Sequence, residues 1–378
     1  MVESFLTPFL ITAIAAFVIG GLFHRLGQPS IVGYILVGAV LGAIGFLTDG
    51  PVIQAAGEIG IVLLLFYLGL ELRIERLIAN WKIAVLGTLL QVAFSIVFVA
   101  LIGGIFDWPL GRILLIGYVI ALSGTAVALK LLERAGELET PLGEKSIAIL
   151  LAQDLAIVPM LISIQLIAGE SMAVGSIAKL IVGAIIVTLF VAMLLSRPLD
   201  VRLRFPDDEL KLFYGLAVLF TFAGVSAWFG LSAGLGAFLA GLFITKASQT
   251  ELVRDQMHPL RAIFVALFFV SVGVMLDLGF VLGELGLIIG LVLGALTINT
   301  AINMVVNRIF GGSWSESIRF GAVLSSLGEF SFVLASVGLA TGLVSSFGYQ
   351  LALATITGTL IAMPAWVALF TWIANRVE

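Results

Sequence analysis

Apolar residues along the chain fall in long blocks, and nearly all the charge sits in the short stretches between them. A helix needs roughly 17–25 mostly apolar residues to cross a bilayer. Thirteen segments qualify, at 4–23, 30–47, 58–72, 83–106, 110–130, 145–168, 172–195, 210–229, 231–246, 261–277, 280–307, 319–342 and 348–374. The pattern therefore predicts an all-α polytopic membrane protein of thirteen spans, with residues 1–378 forming a single transmembrane domain. Ser4–Phe23 has neither a basic leader nor a small-residue cleavage site, so it is expected to be the first span rather than a removable signal.

The charges orient these spans. Of the 19 Lys and Arg residues, all but Arg112 and Lys179 fall on one set of alternate loops. The positive-inside rule then places the N-terminus outside and the C-terminus in the cytoplasm of a prokaryotic-type plasma (inner) membrane. Composition agrees: 61% of residues are hydrophobic and 11% charged, against about 25% charged in a soluble domain. Mean hydropathy is +1.21. The absence of cysteine excludes disulfides and thiolate chemistry. His24 and His258 fall in predicted loops and read as interfacial residues. Membrane lipid is the expected surrounding, and nothing points to nucleic acid.

Short motifs recur at a nearly fixed distance. Gly33 and Gly38, in GYILVGAVL, match Gly236 and Gly241, in GAFLAGLFI, at a separation of 203 residues. Gly69 matches Gly273 at 204. That distance covers seven spans, an odd number, so the two copies must run in opposite directions through the membrane. This is the inverted-repeat plan of many secondary transporters. Residues 1–168 form the first repeat, 172–209 a linker helix and loop, and 210–378 the second repeat.

Two spans carry helix-weakening clusters at equivalent places. The fifth holds Ser123-Gly124-Thr125, and the twelfth holds Ser325-Ser326-Leu327-Gly328-Glu329; Ser123 and Ser326 are again 203 apart. Glycine lowers helix propensity by about 1 kcal/mol, and hydroxyls can satisfy backbone groups freed by a break. Asp154 lies nine residues beyond Lys145 in the sixth span, or roughly 13–14 Å at 1.5 Å per residue, near the middle of the apolar layer. Glu329 lies at similar depth, and Pro159 follows Asp154 where it could bend the span.

A carboxylate at that depth costs about 2.5–3.5 kcal/mol on insertion scales and marks an ion or proton path. Asp154 can bind a proton or a hard alkali cation but not both well, so competition for it couples the two flows. The Gln153 amide and the Ser123 and Thr125 oxygens are the candidate co-ligands. There is no phosphate-binding G-x-x-x-x-G-K-[ST] motif, so a gradient is the expected energy source. No cofactor and no enzymatic chemistry are expected beyond the transported ions. The alternatives are a gated potassium channel, although no TVGYG-like filter is present, and a sodium-coupled solute symporter.

Segments in order along the whole chain resemble the monovalent cation:proton antiporters, most closely the Kef-type potassium/proton antiporters. They are GQPSIVGYILVGAVLG (Gly27–Gly42), LLLFYLGLEL (Leu63–Leu72), ALSGTAVALKLLE (Ala121–Glu133), AILLAQDLAIVPML (Ala148–Leu161), GLSAGLGAFLAGLF (Gly230–Phe243), ALFFVSVGVMLD (Ala266–Asp277) and LGEFSFVLA (Leu327–Ala335). The resemblance implies a homodimer with two crossed discontinuous helices, here the fifth and twelfth. It implies that Asp154 binds the alkali cation and the proton, with Ser123 and Thr125 at the crossing. Gly124, Ser325, Ser326, Gly328, Glu329 and Asn299 would shape the crossing and balance its charge. Many relatives have Asn-Asp or Asp-Asp in place of Gln153-Asp154, and the Gln form favours potassium. Many also carry a Lys near the position of Asn299, whereas Leu282–Asn307 contains no Lys or Arg; electroneutral exchange is the expectation. Kef-type proteins usually continue into a cytosolic regulatory domain, so such a domain or subunit is an expected partner.

Overall fold

The apolar blocks fold as helices, and the two weak clusters are the places where a helix stops and restarts at depth. The computed structural model describes residues 2–26, 28, 30–47, 51–71, 80–167, 182–183, 186, 189–190, 193, 207–229, 233–246 and 250–377. The helices are α1 (Val2–Arg25), α2 (Ser30–Ala43), α3 (Pro51–Glu71), α4 (Lys82–Ile105, opening with a π-helical stretch Lys82–Gly87), α5 (Leu110–Ala121), α6 (Thr125–Arg134), α7 (Pro141–Ile167), α8 (Asp208–Trp228), α9 (Ala233–Lys246), α10 (Thr250–Val274), α11 (Leu278–Gly283), α12 (Leu285–Ile309), α13 (Trp314–Val323), α14 (Glu329–Ala340) and α15 (Ser346–Ala374). Most of the predicted seventh span and the 172–209 linker lies outside the described residues.

Six helices among the described residues are long and apolar enough to cross a membrane. The predicted fifth and twelfth spans are each split, into α5 and α6 and into α13 and α14. The predicted tenth span starts earlier than its apolar block. Thr250–Leu260 carries Glu251, Arg254, Asp255 and His258 among its apolar positions, and its four-residue spacing buries Val253 and Met257 in a cluster with Leu63, Phe66 and Leu219. His258 is therefore helical, edge-on to Tyr67. His24 is also helical, in the last turn of α1.

The surface is inverted relative to a soluble protein. Phe17, Ile105 and Leu282 are 81%, 77% and 74% exposed, while Gln91, Ser95, Asn299, Asn303 and Asn307 are fully buried. Lipid accepts the first set, and the second must find partners inside.

The chain divides into two compact units. One comprises Met1–Thr48, Ile74–Ala168 and Val272–Glu378; the other comprises Asp49–Arg73 and Gly169–Ser271. Within the first, Lys145 Nζ lies 2.7 Å from Glu316 Oε1, and Arg319 pairs with Glu137. These pairs join the start of α7 to the start of α13, so both helices begin at the same end of the unit.

The recurring glycines are contact points. A Cβ on Gly33 of α2 would lie 3.0 Å from the backbone of Gly20 in α1; one on Gly236 of α9 would lie 2.7 Å from Ala223 Cα in α8. Gly20 and Ala223 are themselves 203 residues apart. In the first unit a Cβ on Gly273 would be 2.9 Å from Gly38 Cα, and in the second a Cβ on Gly241 would be 2.8 Å from Gly69 Cα. The same small-residue contacts occur twice, because only glycine lets the backbones approach this closely.

Gly241→Ala is expected to lower the thermal unfolding temperature in detergent, since overpacking of this kind costs about 1–3 kcal/mol. Gly224→Ala is the control: a Cβ there meets nothing within 4 Å, and the unfolding temperature should hold or rise slightly.

Candidate functional site

At each helix interruption the backbone is extended, and the two interruptions pair. Ser123 and Leu327 form an antiparallel bridge, the only extended pairing among the described residues. Gly124 N donates to Ser326 O at 3.0 Å, and Gly328 N donates to Leu122 O at 2.9 Å. Each break thus supplies the partners that the other lost by leaving the helix. Gly124 and Gly328 have negative φ, −76° and −86°, so an unusual backbone conformation is not why glycine is needed. Closeness is: a Cβ on Gly124 would lie 2.6 Å from Ser326 Oγ, and one on Gly328 would lie 3.0 Å from Ser123 C.

Asp154 is buried at 4% exposure on α7. Thr125 Oγ1 lies 3.2 Å and 3.0 Å from its two carboxylate oxygens and donates to them. Thr125 is the first residue of α6, where unpaired N–H groups and the helix dipole favour negative charge. Glu329 is half-buried and opens the matching half-helix α14. Asp154 is followed by Pro159 in an unbroken helix; the proline has no N–H for the carbonyl of Leu155.

Gln153, 1% exposed, faces a different part of the same break. Its Oε1 accepts from Ser123 N at 3.0 Å, and its Nε2 donates to Gln91 Oε1. Ser123 Oγ donates to Leu324 O at 2.8 Å. Asn299, the predicted charge-balancing position, donates from Nδ2 to Ser325 O at 3.1 Å. Asn303, one turn on, lies 3.4 Å from Leu324 O through the same atom. Ser325 Oγ bonds Ala322 O, and Thr359 Oγ1 receives Leu327 N at 3.1 Å. The carbonyls at the C-terminal end of α13 are therefore met by two neutral amides and two hydroxyls.

All the predicted residues at the two breaks come together with Asp154 and Gln153 in one compact unit. Gln91, Asn303 and Thr359 were not singled out from the sequence. Asn303 could have been found by its four-residue spacing from Asn299 and Asn307, which puts all three on one helix face. The arrangement offers one buried carboxylate and a hydroxyl, oxygen ligands that suit a small cation or a proton, beside a helix N-terminus at Thr125 that favours the ionised carboxylate.

Comparison with known proteins identifies the family and the fold. The sodium/hydrogen exchanger transmembrane family matches residues 12–373. Iron transporter MagA of Paramagnetospirillum magneticum is 33% identical over 371 residues, spanning 97% of this chain and 85% of that protein. K(+) efflux antiporter 5 of Arabidopsis thaliana is 30% identical over 336 residues, 85% of this chain. The chloroplastic K(+) efflux antiporter 1 of the same plant is 32% identical over 353 residues, 87% of this chain. The chain spans only 59% and 29% of the lengths of these two plant proteins. The solved sodium proton antiporter MjNhaP1 of Methanocaldococcus jannaschii superposes with a TM-score of 0.69 over 99% of both chains at 14% identity, which shows the fold. The chain belongs to the transmembrane sodium/hydrogen exchanger family, within the monovalent cation:proton antiporter superfamily.

Proposed function

We propose that the protein is a secondary antiporter that exchanges potassium or sodium for protons by alternating access, with cation and proton competing for Asp154. The observation that carries this reading is a buried carboxylate held by Thr125 beside two paired helix interruptions. A carboxylate there holds one positive charge at a time. If it must be occupied before the site can reorient, a cation moves one way only when a proton moves the other.

Asp154 and Thr125 form the proposed binding face. Ser123 and Gln153 hold the break beside it, with Gly124, Ser325, Ser326, Gly328 and Glu329 completing its frame. Potassium is the first choice, because Gln153-Asp154 resembles the Kef branch and potassium efflux antiporters stand among the relatives. Sodium is the second, in line with the solved neighbour. The name of MagA raises iron as a cargo. Hydroxyl and carboxylate oxygens beside Asp154 suit a hard alkali cation better than a metal that favours imidazole or thiolate.

The proposal extends to thirteen spans in two inverted repeats, with crossed half-helices and both termini placed as the charge pattern predicts. It also includes a homodimer and a cytosolic regulatory partner. Asn299 replaces a charged group with an amide, which supports one-for-one, electroneutral exchange.

Acid-loaded proteoliposomes test the reading. Adding potassium or sodium should alkalinise the lumen with wild-type protein, and Asp154→Asn should reduce that flux to the level of protein-free liposomes. Flux that survives in Asp154→Asn, or that needs an organic solute, would sink the antiport reading.

Electroneutrality has its own check. A membrane voltage imposed with an ionophore should leave the wild-type exchange rate unchanged; a rate that follows the voltage would contradict the role given to Asn299.

A further inference from the structure

We infer that Gln91 is a positioning residue for the Asp154 site, acting through Gln153 and Ser123 to fix the helix interruption next to the carboxylate. This rests on the proposed ion-binding role of that site. Gln91 is fully buried on α4, one turn beyond the π-helical stretch Lys82–Gly87. Stretches of this kind shift helix register and recur at functional sites.

The polarity of its contacts is forced from both ends. The backbone N–H of Ser123 can only donate, so the Gln153 oxygen must face it, at 3.0 Å. The Gln153 NH₂ then points the other way and needs an acceptor, which Gln91 Oε1 provides. This turns the Gln91 NH₂ towards Ser123 Oγ, 3.5 Å away. Ser123 Oγ spends its one proton on Leu324 O, a pure acceptor, at 2.8 Å. Every donor therefore points along one path: from Ser123 N through Gln153 and Gln91 to Ser123 Oγ, and on to the carbonyl of the second interruption. The path starts at one break and ends at the other, and Gln91 is its only member outside α7 and the two interrupted helices.

Ser123 is two residues from Thr125, whose hydroxyl holds Asp154. Without Gln91, the buried Gln153 NH₂ loses its acceptor, and the Ser123 end of the break loses a restraint. The position of the Thr125 hydroxyl relative to Asp154 then loosens. That should weaken cation binding more than it slows the turnover of an occupied site.

The forced polarity gives a test that a packing role alone would not pass. A protonated Glu at position 91 has one acceptor oxygen for Gln153 and one O–H for Ser123, the same polarity as Gln. An ionised Glu has acceptors on both sides, so Ser123 Oγ must either face it without a proton to give or withdraw its one proton from Leu324 O. Cation-dependent proton flux in proteoliposomes is therefore measured for wild type, Gln91→Leu, Gln91→Glu and Asp154→Asn across a range of pH. Gln91→Leu should raise the half-saturating potassium or sodium concentration about tenfold, the size of one buried hydrogen bond, with the maximal rate within about twofold. Gln91→Glu should match wild type on the acid side and move towards Gln91→Leu on the alkaline side, each compared with wild type at the same pH.

An unchanged half-saturating concentration in Gln91→Leu would overturn the inference, as would a Gln91→Glu variant whose ratio to wild type does not vary with pH. If Gln91→Leu does not fold, the pH dependence of Gln91→Glu decides alone. A wild-type protein without cation-dependent flux, or flux indifferent to Asp154→Asn, would instead overturn the proposed function and this role with it.

Discussion

Two helices that stop in mid-course leave backbone N–H and C=O groups where lipid and packed side chains exclude water. Each such group left unpaired costs several kcal/mol in a bilayer, so neither break is tolerable alone. Here each resolves the other: Gly124 N bonds Ser326 O, and Gly328 N bonds Leu122 O. The pairing demands that two backbones meet at near-contact distance, which fixes glycine at 124 and 328. The remaining groups are met from outside, by Asn299 on Ser325 O, Thr359 on Leu327 N, and Asn303 and Ser123 on Leu324 O. Asn299 and Asn303 on α12 and Thr359 on α15 thus meet groups that the interruptions at 122–124 and 324–328 leave open. Part of the polar interior of this apolar chain is the cost of one bridge.

The electrostatics follow from the same geometry. A half-helix presents partial positive charge at its N-terminus and partial negative charge at its C-terminus. Thr125 and Glu329 open α6 and α14, so positive ends lie where the acidic side chains are. The negative end of α13 meets the amides of Asn299 and Asn303 rather than an ammonium group. At Asp154 the Thr125 hydroxyl and the N-terminus of α6 both favour the ionised carboxylate. Under the proposed exchange, a cation replacing a proton on Asp154 requires no Lys or Arg of Leu282–Asn307 to change its protonation, because that span has none.

The parts of this site that could be read from the sequence were those that break an apolar pattern strongly. Asp154 stands out as a charge in the sixth span, and Ser123 and Ser326 stand out as equivalent weak points separated by a distance shared with the glycine pairs. Gln91 carries no charge and shares the apolar block 83–106 with Thr88 and Ser95, where nothing in the local pattern distinguishes a network member from a tolerated polar residue. The function of the glycines at the breaks was legible only in part: low helix propensity suggested an interruption, but their closeness to a second chain segment depends on tertiary pairing. The early start of α10 was hidden for a similar reason. Glu251, Arg254 and Asp255 read as a loop until the burial of Val253 and Met257 shows which face of the helix packs.

Adjacent residues on a helix point about 100° apart, so Gln153 and Asp154 cannot address the same point. The structure uses this divergence. Asp154 turns to Thr125 and Gln153 turns to Ser123, and Gly124 lies between the two anchored residues. Both ends of the Gln153 amide are already engaged, by Ser123 N and by Gln91, whereas the carboxylate is met by a hydroxyl that can reorient. The neighbouring pair therefore faces two places: Gln153 bonds the interruption at Ser123, and Asp154 meets Thr125, the face on which the proposed exchange would act. A cation that drew the Gln153 oxygen away from Ser123 would have to open the interruption to do so, which ties occupancy of the site to the one local structure on which both broken helices depend.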